Sequence, residues 1–294
     1  MELRTLRSFL SVAREGNVTR AARSLHITQP ALSRQLSELE RELGCELLVR
    51  ESRGVTLTDA GMLLRKRAEE IVSLADRTEL EMRAPTAEVE GDVWVGGGES
   101  RAMELVAQVA AQLGVEQPKL RLRVHSGNRD DVTERVDKGL LDFGVVFGEE
   151  PESRHEWLAL PWKDRWGVLV RADDPLAGRQ EVALDELRDR RVIASGQSSR
   201  EVSKDDPTIM LLGREGFDVA ATYTLLYNAS LLVEQGVGIA VSFDGIVPAG
   251  EGTPFAFVPF ADMAPVNSYL MWKRYQPLSR ACDAFLRAMR ARCQ

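Results

Sequence analysis

The chain has 294 residues, of which 44% are hydrophobic and 28% are charged, and its formal net charge is -7. This composition is that of a folded soluble protein, and the length predicts two or three domains. The sequence has no run of 18 apolar residues and no secretory signal pattern, so we expect no membrane span and a cytoplasmic location. The acidic balance argues against a protein that coats nucleic acid with its whole surface.

The charge is unevenly distributed along the chain. Residues 1–83 contain 14 Lys and Arg against 13 Asp and Glu, whereas the remainder contains 24 against 32. An acidic protein can bind nucleic acid when its positive charge is concentrated in one small module. Any such module is therefore expected at the N-terminus.

Three helices are predicted at the start of the chain. Apolar residues at helical spacing predict the first over residues 3–14. Asn17 is suited to cap a short second helix, Val18 to Leu25, and His26-Ile27 forms the turn after it. Thr28 then caps a third helix, whose first turn tolerates Pro30 because the amides there have no intrahelical partner. Gly44 ends that helix.

The third helix has two different faces. Leucines at 32, 36, 39 and 43 form one stripe that we expect to be buried. Gln29, Ser33 and Arg34 lie off that stripe on the leading half, which has no acidic residue. Glu38, Glu40 and Glu42 crowd the trailing half.

A hairpin and a long helix follow. Alternation over Glu46–Arg50 and Gly54–Leu57 predicts two short strands, with Arg50 and Arg53 near the tip. Thr58 and Asp59 suit the start of a helix that runs to about Arg83, before Pro85. A heptad stripe on this helix is too long for the small module to cover, which predicts a partner helix and dimerisation; its members are Leu64, Ala68, Ile71, Ala75, Thr78 and Met82.

From residue 91 onward, strand and helix patterns alternate, which predicts an α/β fold with a parallel sheet. The strands are predicted at 91–95, 119–127 and 140–148, with helices at 101–114 and 128–140. A second set of strands begins at 166–171 and 191–194. A helix at 223–236, strands at 236–243 and 268–274, and a closing helix at 278–292 complete the pattern.

Helix, turn, helix and hairpin within 60 residues is the plan of a winged helix-turn-helix, whose second helix places its N-terminal residues against base edges in the major groove. Gln29 and Arg34 can donate to base edges or phosphates, and Ser33 is small enough to permit close approach. Arg50 and Arg53 suit backbone or minor-groove contacts from the wing. An ordinary three-helix core is the alternative, but it does not explain why acids are absent from the leading half of the helix.

The segment LRSFLSVAREGNVTRAARSLHITQPALSRQLSELERELGCELLVRESRGVTLTDAG resembles the N-terminal domain of LysR-type transcriptional regulators. The resemblance implies Thr28, Gln29, Pro30, Ser33 and Arg34 as recognition-helix positions. It also implies Arg20 as a phosphate contact, and Arg50 and Arg53 as the wing. Val18 and Leu48 depart from the aromatic residues frequent in the family, and Asp174-Pro175-Leu176-Ala177 departs from its usual His-Pro-Leu-Ala.

The resemblance extends in layout to the whole chain. It implies a winged helix-turn-helix at 1–58, a linker and dimerisation helix at 59–84 and a hinge at 85–90. It further implies a two-lobed, periplasmic-binding-protein-like α/β effector domain. Its lobe I comprises 91–160 and 268–294, and its lobe II comprises 161–267. The expected protein is a bacterial regulator that associates with the nucleoid when DNA-bound. It forms a homodimer or a dimer-of-dimers tetramer, switched by a small-molecule co-inducer bound between the lobes.

Two polar turns are candidates for the effector cleft. The GGGES turn can cradle an anion on free amides, or it can be a plain strand-to-helix turn. The loop from Ala194 to Arg200 can form a small-anion pocket, or it can be a flexible polar loop. The predicted cleft residues are Ser100, Arg101, Ser126, Phe147, Ser195, Gln197, Ser198 and Asn228. Because Arg101 and Arg200 are the main charges there, a carboxylate-bearing effector is favoured.

Two rival functions remain open at this stage. An α/β enzyme or nucleotide-binding protein needs a cofactor fingerprint or a catalytic pair, and neither is visible, so we expect no enzyme activity and no cofactor. A solute-binding protein is opposed by the lack of a signal peptide. The three histidines are isolated, so no metal site is expected. The three cysteines are expected to be ordinary buried thiols rather than a redox pair.

Overall fold

The computed structural model describes residues 1–51, 54–83, 89–196, 211 and 216–293. It divides into two compact units, Met1–Pro85 and Thr86–Gln294. The predicted fold class is confirmed: an N-terminal helix-turn-helix unit is followed by an α/β unit with two sheets. The helices in the described residues lack an apolar stretch of the length that a membrane span requires.

The first unit begins with three helices, α1 (Leu3–Glu15), α2 (Val18–Ser24) and α3 (Gln29–Leu43). Asn17 caps α2 by accepting from the Arg20 N–H at 3.0 Å, and Thr28 caps α3 by accepting from the Ala31 N–H at 3.4 Å. Gly44 ends α3 in the left-handed conformation, with φ of 70°. The residues that the sequence predicts as caps therefore lie at the helix boundaries.

The wing and the long helix complete this unit. Strands β1 (Leu48–Glu51) and β2 (Gly54–Leu57) pair antiparallel, and α4 spans Asp59–Arg83. Thr58 links the two elements, because its hydroxyl donates to the Glu46 carbonyl at 2.7 Å and accepts from the Gly61 N–H at 2.9 Å. One apolar core joins the helices and the base of the wing; its fully buried members include Leu6, Phe9, Val12, Ala21, Leu32, Leu36, Leu39, Leu47 and Ala68.

Gly61 marks the closest approach between α4 and the wing. A Cβ added to it would lie 2.1 Å from the Leu47 carbonyl oxygen, a backbone atom that cannot move away alone. We expect Gly61→Ala to lower the free energy of unfolding by about 2–3 kcal/mol. The matched control is Gly114→Ala, where nothing lies within 4 Å and helix propensity predicts a gain of about 0.5–1 kcal/mol. Urea unfolding followed by circular dichroism measures both changes; equal effects at the two positions would contradict this account.

In the second unit, one sheet has the order β4-β3-β5-β12-β6, and we call this part lobe I. Its strands are β3 (Gly91–Gly97), β4 (Leu120–Ser126), β5 (Phe143–Phe147), β6 (His155–Asp164) and β12 (Val266–Lys273). Helices α5 (Ala102–Glu116) and α6 (Arg129–Asp137) connect the first three strands, and α8 (Arg280–Arg292) closes the chain. The first three strands are parallel, so their carboxyl ends meet at one edge.

The other sheet has the order β11-β7-β10-β8-β9 and forms lobe II. Its strands are β7 (Trp166–Arg171), β8 (Arg191–Ser195), β9 (Asp218–Tyr223), β10 (Ile239–Phe243) and β11 (Phe255–Pro259). A 3₁₀ helix spans Leu184–Asp189, and helix α7 spans Leu226–Glu234. Strands β8, β9 and β10 are parallel, whereas β7 pairs antiparallel with both β10 and β11.

Both sheets are mixed. Each contains the parallel strands that the alternation predicts, together with antiparallel strands that it does not predict. The chain leaves lobe I along β6 and returns along β12, so these strands run antiparallel to each other. Strand β6 continues to Asp164 and β12 begins at Val266, so each strand extends a few residues beyond the predicted lobe bounds at 160 and 268. The burial pattern of β6 is irregular, which explains why period-2 alternation does not reveal it.

The cysteines differ partly from expectation. Cys282 is buried in the lobe I core, as expected of an ordinary thiol, and Cys293 is partly buried. Burial raises the pKa of the Cys293 thiol. Cys45 is exposed, contrary to the prediction, because it follows the helix-ending Gly44 and precedes the wing.

Candidate functional site

The leading end of α3 presents polar side chains to solvent. Thr28, Gln29, Pro30 and Arg34 are exposed and Ser33 is half-buried. The Gln29 amide donates to the Ser33 hydroxyl at 2.9 Å, which orients the amide along the helix surface. These side chains therefore lie outside the core, and an amide, a hydroxyl and a guanidinium are available to an external partner.

The opposite face and the trailing end of α3 have structural roles. Leu32, Leu36 and Leu39 are buried, whereas Leu43 is 40% exposed because the helix ends there, so the predicted stripe holds for three of its four leucines. The Glu40 carboxylate accepts from the backbone N–H groups of Leu47 and Leu48, at 2.9 and 3.2 Å. The acidic end of the helix thus anchors the base of the wing, a role that the sequence pattern alone does not show.

The remaining predicted DNA contacts lie around this helix. Arg20 is exposed, and its guanidinium donates to the Glu15 carbonyl at 2.5 Å, which holds the side chain over the C-terminus of α1. Arg50 lies on β1, where it pairs with Val55 in register. Arg53 lies outside the described residues.

The stripe on α4 divides into two parts. Ala68 is fully buried in the core of its own unit, and Leu64 is packed against the same core. Both side chains therefore contribute to the core of the single chain. Ile71 is 39% exposed and Met82 is 81% exposed, while Ala75 is half-buried. The exposed part of the described stripe therefore begins at Ile71.

In the second unit, the predicted cleft residues of lobe I follow the carboxyl ends of its parallel strands. Ser126 ends β4 and is paired in register with Gly97, the last residue of β3. The ring of Phe147, at the end of β5, lies 5.4 Å from the ring of Phe243 in lobe II. Phe147 thus contacts lobe II from the carboxyl end of β5.

Buried oxygen atoms without partners lie at the junction of the lobes. Among the described residues, Ser100 Oγ, Asp164 Oδ1 and Asp244 Oδ1 are buried and accept or donate no hydrogen bond within the chain. Asp164 ends β6 immediately before the crossover, and the Asp244 N–H donates to the Arg165 carbonyl at 3.0 Å. Burial raises the pKa of the Asp164 carboxyl, against the opposing hydrogen bonds from the Ser268 hydroxyl and the Arg101 N–H.

Two arginines flank this junction. The stem of Arg101 lies against Gly245 of lobe II, where an added Cβ would approach Arg101 Cδ to 2.5 Å. Its guanidinium is about half exposed and is 3.9 Å from the Glu104 carboxylate. Arg129, which the sequence pattern does not predict as a site residue, donates to the carbonyls of Phe147 and Glu149 at 2.7 and 2.9 Å. Its position directly after the capping residue Asn128, at a strand end, is the signal that could have identified it.

Lobe II contributes fewer described candidates. Ser195 ends β8 and pairs in register with Tyr223, while Asn228 is exposed in the first turn of α7. Gln197 and Ser198 lie outside the described residues. The two lobes are joined at the start of α7, because the Glu99 carboxylate of lobe I accepts from the Leu226 N–H at 2.6 Å. Glu99 belongs to the GGGES turn, and its contact with the other lobe is not visible in the sequence.

Comparison with known families decides the assignment. A family model described as "Bacterial regulatory helix-turn-helix protein, lysR family" matches residues 3–62, and one described as "LysR substrate binding domain" matches residues 86–294. The chain belongs to the LysR family. It is a DNA-binding transcriptional regulator with a C-terminal effector-binding domain, which confirms the resemblance seen in the sequence.

An individual relative and two solved structures agree with the assignment to the LysR family. It is 28% identical over 240 residues to the HTH-type transcriptional regulator CysL of Bacillus subtilis (strain 168), covering 80% of this chain and 78% of that one. Its fold is similar to the crystal structure of CbnR, a LysR family transcriptional regulator, with a TM-score of 0.77, 22% identity and full coverage of both chains. Full-length CbnR complexed with its target DNA gives a TM-score of 0.75 at 21% identity, covering 99% of this chain and 100% of that one. These relatives are regulators rather than enzymes, as predicted.

Proposed function

We propose that this LysR-family regulator reads a specific operator through the leading end of α3. The supporting observation is that Gln29 and Arg34 are exposed there, while the leucines of the same helix are buried. Such side chains match the donor and acceptor pattern of base edges in the major groove. Arg20, Arg50 and Arg53 supply phosphate or minor-groove contacts, which position the module on double-stranded DNA.

The effector site lies between the two lobes of the second unit. The observation that carries this proposal is the hydroxyl of Ser100, which is buried at the lobe junction without a partner in the described chain. Buried polar groups are nearly always hydrogen-bonded, so a small polar ligand at this junction is its natural partner. The lining residues are Ser100, Arg101, Ser126, Phe147, Ser195, Gln197, Ser198 and Asn228.

The effector carries a carboxylate. Support comes from the guanidinium of Arg101, which is about half exposed beside the junction and lies 3.9 Å from the Glu104 carboxylate. A guanidinium recognises a carboxylate with two parallel hydrogen bonds.

The functional form is a homodimer, assembled further into a dimer of dimers. Ile71 and Met82 lie exposed on α4, and an exposed apolar stripe on a long helix favours a partner helix. An effector bound between the lobes changes the lobe angle only through its different affinity for the two arrangements. That change alters the oligomer and the spacing of its recognition helices on DNA. The regulator acts in the bacterial cytoplasm, on the nucleoid.

A ligand screen followed by footprinting tests the proposal. Carboxylic acid metabolites are screened against the full chain by thermal shift, and a compound that raises Tm is expected to lose its effect in Ser100→Ala. Ser153→Ala, an exposed position in a lobe I turn, is the control and should leave the shift unchanged. The same compound should alter the footprint on DNA flanking the regulator's own gene. A compound that binds equally to both variants would place the effector elsewhere.

A further inference from the structure

The first turn of α7 lacks a cap of its own. Its N-cap residue is Leu225, which has no side-chain acceptor, and no acidic residue lies in the first turn. The first N–H groups of a helix have no intrahelical partner, and they carry the positive end of the helix dipole. A carboxylate from elsewhere in the fold is therefore well suited to this position.

Glu99 provides that carboxylate from the other lobe. Its Oε2 accepts from the Leu226 N–H at 2.6 Å, so a lobe I side chain caps a lobe II helix. A charged acceptor makes a hydrogen bond roughly twice as strong as a neutral one. Glu99 is half-buried, which limits competition from water.

The loop that holds Glu99 is fixed within lobe I. A Cβ on Gly96 would lie 2.4 Å from Leu141 Cδ1, and a Cβ on Gly98 would lie 2.9 Å from Phe147 Cζ, so the backbone passes close against both side chains. Arg101 beyond it packs on Gly245 of lobe II. Glu99 therefore extends from a tightly packed turn.

We infer that Glu99 is a positioning residue that sets the lobe arrangement by capping α7 across the cleft. This inference rests on the proposed function, in which the lobe angle controls the DNA-bound oligomer. Loss of the cap releases α7 from lobe I and shifts the population of lobe arrangements without any effector. Glu99 does not need to contact the effector for this role.

Hydrogen exchange on the full chain tests the contact itself. In Glu99→Ala, the peptide containing the Leu226 amide should exchange roughly five- to tenfold faster than in the parent. Glu99→Gln keeps a neutral acceptor oxygen and should give a smaller increase. Glu116→Ala removes the same charge at the far end of α5 and should change nothing at Leu226. Unchanged exchange in Glu99→Ala would overturn the inference.

Footprinting of the same variants without any added small molecule tests whether Glu99 sets the lobe arrangement or only caps α7. We expect Glu99→Ala and Glu99→Gln to alter the length or spacing of the protected DNA, and Glu116→Ala to reproduce the parent. Faster exchange with a parental footprint would show that Glu99 is only a structural cap, which overturns the positioning role. If the parent itself protects no DNA, the proposed function fails. The exchange measurement still tests the hydrogen bond between Glu99 and the Leu226 N–H.

Discussion

Arg34→Ala is expected to lower the affinity for the operator by roughly 30- to 10⁴-fold while leaving the oligomer intact. One arginine contact to a base is worth about 1–3 kcal/mol. A dimer places two recognition helices on the operator, so the loss of binding free energy roughly doubles, to about 2–6 kcal/mol. Arg34 is exposed and packs in no core, so the substitution leaves the fold unchanged.

Fluorescence anisotropy with the operator and with a scrambled duplex, at several salt concentrations, measures this effect. A base contact predicts a loss confined to the operator, whereas a phosphate contact predicts a loss on both duplexes with a shallower salt dependence. Arg41→Ala is the matched control, since Arg41 is exposed in the last turn of the same helix. If Arg34→Ala binds as well as the parent, α3 is not the recognition helix.

The N-terminal unit could be predicted almost entirely from the sequence because its boundaries are local. Asn17, Thr28 and Gly44 each end or begin a helix through their own side chain or backbone conformation. The role of Glu40 could not be predicted, because its partners, the amides of Leu47 and Leu48, are brought to it by the turn at Gly44. An acidic residue on an exposed helix face has the same local pattern whether or not it anchors a wing.

The effector domain was predictable in its alternation of strands and helices but not in its sheet connections. Strand β6 lies at the edge of its sheet, so only one side of it pairs, and its periodicity is weak. The interlobe contacts of Glu99 and Phe147 join residues that are far apart in the chain, at 226 and 243. Such contacts depend on where the chain crosses between the lobes, which no local pattern encodes.

The second large effect is expected for Ile71→Asp, which should convert the oligomer to monomers. Ile71 is 39% exposed in the single chain, so the carboxylate stays solvated there and the fold is preserved, but a partner helix would bury it without a counter-ion. That burial costs several kcal/mol for each of the two subunits, which corresponds to a dissociation constant raised by about a thousandfold or more.

Ser73→Asp adds the same charge to an exposed position off the stripe and should keep the parental molar mass. Light scattering over a concentration series measures the molar mass, and operator affinity should fall as well because the two half-sites are then bound independently. A molar mass for Ile71→Asp equal to the parent's, with circular dichroism showing both folded, would remove α4 from the dimer interface.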